Sequence, residues 1–372
     1  MPVHHRDSVA FTVVVTALTL VGAAVMSVVI WLSGAPSSLL WATVLAAVPV
    51  GPLVGCFLWL DRYEPEPKSL IVAGLAWGAF VATAAALVLQ GIGAVGGVSD
   101  IETLEVVAPV TEEATKGLFL LLLLWWRRHE LDGILDGIVY AGMVGVGFAF
   151  TENIIYLAAA YDGTDGMGPG GADAVTGTFI MRCLVSPFAH PAFTAMTGIG
   201  VGIAVATRRG WLRLLAPVVG YLLAVVGHGI WNTAANGGLG NFFLVYGLLM
   251  LPVFFLLAAF AVFRRRSEGD LLREALQDAA GRGLLPATDV DWLVDLRARR
   301  VARRWAERTG GDMAHRAMRE YQAAAIELGY LHHRFLRGTA PHDFASRGAA
   351  HVARLNAVRP YISFPGQVVP TR

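Results

Sequence analysis

Read from the N-terminus, the chain alternates long apolar runs with short polar connections. Eight runs can be marked, at residues 9–33, 39–60, 69–90, 103–126, 134–160, 177–206, 211–234 and 242–263. Each supplies about the twenty residues that an α-helix needs to cross the hydrocarbon layer of a bilayer. Beyond residue 263 the pattern changes. Asp270–Ala280 and Val290–Glu307 carry apolar residues at helical spacing, with Trp292, Leu293, Leu296 and Val301 on one face and Arg297, Arg299, Arg300, Arg303 and Arg304 around it. A further helical stretch runs from Met313 to Arg337, and Tyr361 to Arg372 is expected to lack regular structure. The pattern predicts an all-α protein. Residues 1–263 form a polytopic membrane helix bundle of about eight transmembrane helices, and residues 264–372 form an arginine-rich helical cytoplasmic tail domain.

Composition sharpens this division. The 372 residues are 55% hydrophobic and only 15% charged, with a mean hydropathy of +0.57, outside the range of an ordinary soluble domain. A net charge of +1 hides an asymmetry: residues 1–263 hold 10 Lys and Arg against 16 Asp and Glu, while 264–372 hold 19 against 12. The connections are also sorted by sign. Arg6, Arg62, Lys68, Arg127, Arg128, Arg208, Arg209, Arg213 and Arg264 to Arg266 fall at the N-terminus and after even-numbered segments, whereas 34–38, 91–102, 161–176 and 235–241 have neither Lys nor Arg. By the positive-inside rule both termini are expected in the cytoplasm of a bacterial-type cell, with the chain integral to its plasma membrane. The first run shows no small-residue cleavage site and is expected to stay as a span.

The connections differ in kind. Gly91–Gly97 and Tyr161–Gly171 are glycine-rich and read as exposed turns. Leu60–Lys68 has two prolines and charges of alternating sign, and reads as a structured cytoplasmic turn. Cys56 and Cys183 lie in apolar segments and imply neither a disulfide framework nor a thiol metal site. The tail arginines fit contact with anionic lipid, worth about 1 kcal/mol each near a membrane surface, and equally the solvated face of a small helical domain. No nucleic-acid partner is expected.

Chemistry enters with the charges that cannot easily reach an interface. Glu112, Glu113 and Lys116 sit in the fourth apolar segment, Glu152 in the fifth, Arg182 and His190 in the sixth and His228 in the seventh. Ionisable groups at such depth are costly and mark functional sites by default. A self-neutralising Glu112–Lys116 pair would be the purely structural alternative, but it leaves Glu113 in need of a partner. His228 and Asn232 are i and i+4 and share a helix face, while Gly227 and Gly229 permit close helix approach. Pro187 and Pro191 bracket His190, and a helix broken within the bilayer implies a wet internal cavity. Two carboxylates and two imidazoles of this kind match a hydrolytic zinc site that keeps one position open for water. Without a metal, Glu113 would activate water while a histidine and Asn232 stabilise the oxyanion.

In order along four successive segments, Glu112-Glu113-x-x-Lys116, Phe148-x-x-x-Glu152-Asn153, His190 and His228-x-x-x-Asn232 resemble the motifs of the PrsW family of intramembrane proteases, and Leu60–Pro67 is similar to a further stretch of that family. The resemblance covers roughly residues 39–263. The related CAAX prenyl proteases carry a histidine where this chain has Glu152 and end their first motif in an arginine one residue further on, which favours the PrsW branch. The resemblance implies cleavage of a membrane-embedded or membrane-proximal peptide, in the best-known member the site-one cut of an anti-sigma factor. It carries catalytic roles to Glu112, Glu113, Glu152 and Asn232, and metal-ligand roles, for zinc, to Glu113, Glu152, His190 and His228, with a metal-free route left open. Two rival functions are an ion-coupled transporter, which would be expected to show internal repeats, and a non-catalytic scaffold of the same superfamily.

Overall fold

The computed structural model describes residues 4–164 and 169–366; residues 165–168 of the expected outer turn and 367–372 of the expected irregular end lie outside the described residues. It is helical throughout, with no β-strand among the described residues. Among the described residues seven helices are long and apolar enough to cross a membrane: α1 Val9–Leu32, α2 Pro36–Leu60, α3 Lys68–Val95, α5 Ile134–Asp162, α6 Ala172–Ala206, α7 Gly210–Asn236 and α8 Gly238–Gly281. The remaining expected segment also forms a helix, α4 Ala108–Trp126, whose apolar character is lowered by Glu112, Glu113 and Lys116. Those three side chains are buried rather than lipid-facing.

The chain divides into two compact units, one of Met1–Asp61 with Glu66–Ala261 and one of Arg62–Pro65 with Val262–Arg372. The division differs from a single boundary at residue 263, because four residues of the Leu60–Lys68 turn group with the tail.

In the first unit α5 is central and almost wholly buried. Glycine makes this packing tight: a Cβ on Gly145 would lie 2.7 Å from Pro191 Cα, and one on Gly78 would lie 1.9 Å from the Val144 carbonyl oxygen. Among the described residues four helical stretches widen into π-turns, at Trp77–Ala82, Thr103–Val107, Ile180–Val185 and Tyr246–Met250. The third runs into a break at Ser186–Phe188, where the expected proline effect appears: the helix restarts at Ala189 with Pro191 in its first turn, where a missing N–H costs nothing. Ser186 repairs the break by donating from both its backbone N–H (3.0 Å) and its hydroxyl (2.7 Å) to the Met181 carbonyl.

Below α5 the Leu60–Lys68 turn is structured, as its prolines suggest. The Glu66 N–H donates to Asp61 Oδ2 (2.8 Å), and the Tyr140 hydroxyl donates to Glu66 Oε2 (2.5 Å). Burial, opposed by the Glu66 N–H and reinforced by nearby Asp136, pushes the Asp61 carboxyl up to about 8. Burial likewise raises Glu66 well above the carboxylate range.

In the second unit, α9 Leu296–Leu336 kinks at Gly311 (φ 64°) and packs against α10 Phe344–Val358. Arg299, placed by periodicity on a basic face, is instead buried and donates to the carbonyls of Leu293 and, at 2.9 Å, Tyr63. Phe364, in the stretch expected to lack structure, is fully buried between Trp292 and Tyr321.

Two outcomes follow from these contacts. Unfolded Asp61 titrates near 3.8 and folded Asp61 near 8, so the folded state holds the extra proton between those values and loses stability as pH rises through them. Asp61→Asn, which keeps an acceptor for the Glu66 N–H, should flatten the fall in thermal unfolding temperature of the detergent-solubilised protein between pH 4 and 8. Gly145→Val should destabilise the bundle by about 1–3 kcal/mol through overpacking, while Gly240→Ala, with open space around its Cβ, should leave the unfolding midpoint unchanged.

Candidate active site

Four helices bring their charged residues together inside the first unit. α4 contributes Glu112, Glu113 and Lys116, α5 contributes Glu152, the restarted half of α6 contributes His190, and α7 contributes His228. Glu113 and Lys116 are 0% exposed and His228 1%.

Lys116 sits in the middle. Its ammonium reaches Glu113 Oε1 at 2.8 Å, His190 Nδ1 at 3.1 Å and Glu112 Oε2 at 3.4 Å, and it lies 3.8 Å over the Phe148 ring. The lysine therefore binds Glu113 more closely than Glu112, the partner that i, i+4 spacing suggests. An ammonium has three protons and no acceptor, so three acceptors use it fully.

This fixes the histidine protons. His190 Nδ1 accepts from Lys116, so its proton is on Nε2, which faces Glu152 Oε2 at 2.7 Å. His228 Nδ1 faces Glu113 Oε1 at 3.0 Å and donates to it, and its Nε2 lies 3.7 Å from Glu112 Oε2. Glu113 is otherwise saturated, since Thr194 donates to Oε2 at 3.0 Å. Glu112 is held more loosely, with Gln90 at 3.4 Å from Oε1.

A divalent cation would take these donors in place of the Lys116 ammonium, which holds the His190 Nδ1 lone pair. One ligand atom each from Glu112, His190 and His228 lies within 4.8 Å of the others. Glu113 and Glu152 stand behind the two imidazoles, the arrangement by which carboxylates orient metal-bound histidines. Asn232 is not gathered in: its amide donates to the Leu104 carbonyl at 2.9 Å, in the π-turn that leads into α4. Gly229, one turn away, would bring a Cβ to 3.1 Å from the Glu105 carbonyl oxygen, so this face of α7 is a packing face.

Periodicity did not single out Thr194, although it lies one turn beyond His190, nor Gln90 in an apolar run. Arg182 was noted for its depth alone, and it pairs with Glu152. A cleft of about 530 Å³ opens beside the cluster, lined by Tyr156, Asp173, Arg182, His190, Trp231 and Phe242 among others.

Membrane-length helices around an interior centre of carboxylates, imidazoles and a lysine define a polytopic membrane protein with a buried charged centre. Residues 66–257 match the family described as PrsW family intramembrane metalloprotease, and the chain belongs to that family. It is 29% identical over 184 residues to Protease PrsW of Geobacillus kaustophilus (strain HTA426), covering 48% of this chain and 73% of that one. It is 33% identical over 120 residues to Protease PrsW of Clostridioides difficile (strain 630), covering 30% and 49% respectively. Protease PrsW of Oceanobacillus iheyensis is 27% identical over 146 residues, 39% of this chain and 58% of its own length. No solved structure matches.

Removing the central cation would strand two buried carboxylates. Lys116→Met should therefore cost about 3–5 kcal/mol of stability, read as a lowered unfolding midpoint, and the triple change Glu112→Gln, Glu113→Gln, Lys116→Met should recover part of the loss.

Proposed function

We propose that this chain is an intramembrane endopeptidase that hydrolyses a peptide bond in a membrane-embedded or membrane-proximal segment of another protein. The observation that carries the reading is the linked cluster in which Lys116 meets Glu112, Glu113 and His190, Glu152 meets His190 and His228 meets Glu113, beside a cleft that His190 also lines.

The roles follow from which atoms are already committed. Glu113 gives one oxygen to Lys116 and His228 and the other to Thr194, so it orients His228. Glu152 does the same for His190. In the metal-free route Glu112, which has the loosest contacts, is the carboxylate that takes a proton from water as the water oxygen attacks the substrate carbonyl, and returns it to the leaving amine. Glu112, His190 and His228 would hold a metal, zinc by donor type, which when bound would lower the pKa of a coordinated water and polarise the carbonyl. The metal-free reading draws on Lys116, whose ammonium is already a cation among those donors. Asn232, whose amide is engaged with Leu104, holds the His228 helix to the turn before α4 rather than serving an oxyanion. Both termini are placed in the cytoplasm on the strength of the arginine and lysine distribution. An anti-sigma factor is one substrate consistent with the family.

Membrane-protein fragments should be compared in cells carrying the wild type, His228→Ala or Glu113→Ala. Fragments that appear only with the wild type, while all three proteins insert, are the expected result; identical fragment patterns would overturn the reading. Elemental analysis of the purified protein separates the two routes. About one divalent ion per chain, lost in His190→Ala and His228→Ala, is expected if a metal is resident, and an active metal-free protein assigns water activation to Glu112 alone.

A further inference from the structure

Arg182 belongs to none of the motifs noted in the sequence, yet it meets the cluster more intimately than Asn232 does. It lies in the π-turn Ile180–Val185, just before the break that precedes His190. Its guanidinium is held by three residues of α5. Nη2 pairs with Glu152 Oε2, Nε donates to Asn153 Oδ1 at 2.8 Å, and the plane lies 3.9 Å from the centre of the Tyr156 ring. Glu152 Oε2 is the same oxygen that receives Nε2–H of His190.

A lone carboxylate on α5 could swing among rotamers or turn toward Lys116. A guanidinium that is itself locked by an amide and an aromatic face removes that freedom, because its donors form a rigid fork. Arg182 also lines the cleft beside His190, so its side chain stands where the cluster meets the space a substrate would occupy.

We propose that Arg182 is a positioning residue of the hydrolytic centre: it fixes the Glu152 carboxylate against Nε2 of His190 and so keeps Nδ1 of that ring turned toward Lys116. The word hydrolytic rests on the function proposed above, but the positioning does not. Arg182 acts through Glu152 and His190, which separates it from a residue that merely braces the fold.

The test uses the full-length protein in detergent micelles or proteoliposomes, with a membrane substrate that the wild type cuts. Arg182→Met should lower kcat by about 100-fold, the scale of a small misplacement at a reacting centre, with KM little changed. Arg182→Lys, which restores the charge but not the fork, should recover part of the loss. In a Glu152→Gln background, Arg182→Met should add almost nothing, because the two act as one unit. Turnover of Arg182→Met close to wild type would overturn the proposal, as would losses that multiply in the double variant. Should Arg182→Met fail to insert, Asn153→Ala keeps the guanidinium and frees one of its anchors; a smaller fall in kcat at constant KM is expected, and none would overturn it. A readout independent of proteolysis is the Nε2–H proton resonance of His190 in ¹⁵N-histidine-labelled protein, assigned with His190→Gln. It should shift upfield and broaden in Arg182→Met. An unchanged resonance would overturn the positioning role. A wild type that cuts no peptide would overturn only the hydrolase.

Discussion

The ammonium of Lys116 is the constraint on which the interior of this protein depends. Three carboxylates and two imidazoles are unfavourable company in a low-dielectric bundle. Lys116 makes the arrangement tenable by giving one proton each to Glu113, His190 and Glu112. In doing so it places the His190 proton on Nε2, while Glu113, which it also holds, takes the Nδ1–H of His228. Electrostatic neutralisation and the orientation of the two imidazoles are therefore one event. A second cation, Arg182, closes the far side of the cluster on Glu152.

Backbone packing supplies the precision that charges alone lack. Gly145 lets α5 touch the chain at Pro191, next to His190, so the spacing between Glu152 and His190 is set by main-chain atoms. The break at Ser186–Phe188 sits on the other side of His190, and its freed carbonyls are satisfied within the protein, Met181 by Ser186 and Val185 by the Tyr246 hydroxyl, rather than by lipid. A helix that is rigid on one side of a reactive residue and interrupted on the other can aim that residue without carrying it along a straight face.

Much of this could be read in the chain before any coordinates, because the bilayer imposes a simple rule on length and polarity. The long apolar segments, the isolated charges at depth and the proline break at His190 are direct consequences of that rule. What spacing could not say is which oxygen meets which nitrogen. Glu112 and Glu113 are neighbours in sequence, yet one is saturated and the other loosely held, and the difference comes from Thr194 and His228 on other helices. Asn232 shares a helix face with His228 in an ideal α-helix, but α4 is preceded by a π-turn whose exposed carbonyl captures its amide. Arg299 was misplaced for a related reason: periodicity marks a face as charged, and cannot tell that carbonyls of Leu293 and Tyr63 await one of its members.

The grouping of Arg62–Pro65 with the tail has a topological consequence. The polypeptide passes between its two units at three places, not one, so neither unit is a single continuous stretch of sequence. Excision of the tail after Ala261 would leave four foreign residues in the membrane part, and a tail expressed alone would lack the Tyr63 carbonyl that Arg299 grips. The gene for either half would need a splice rather than a cut.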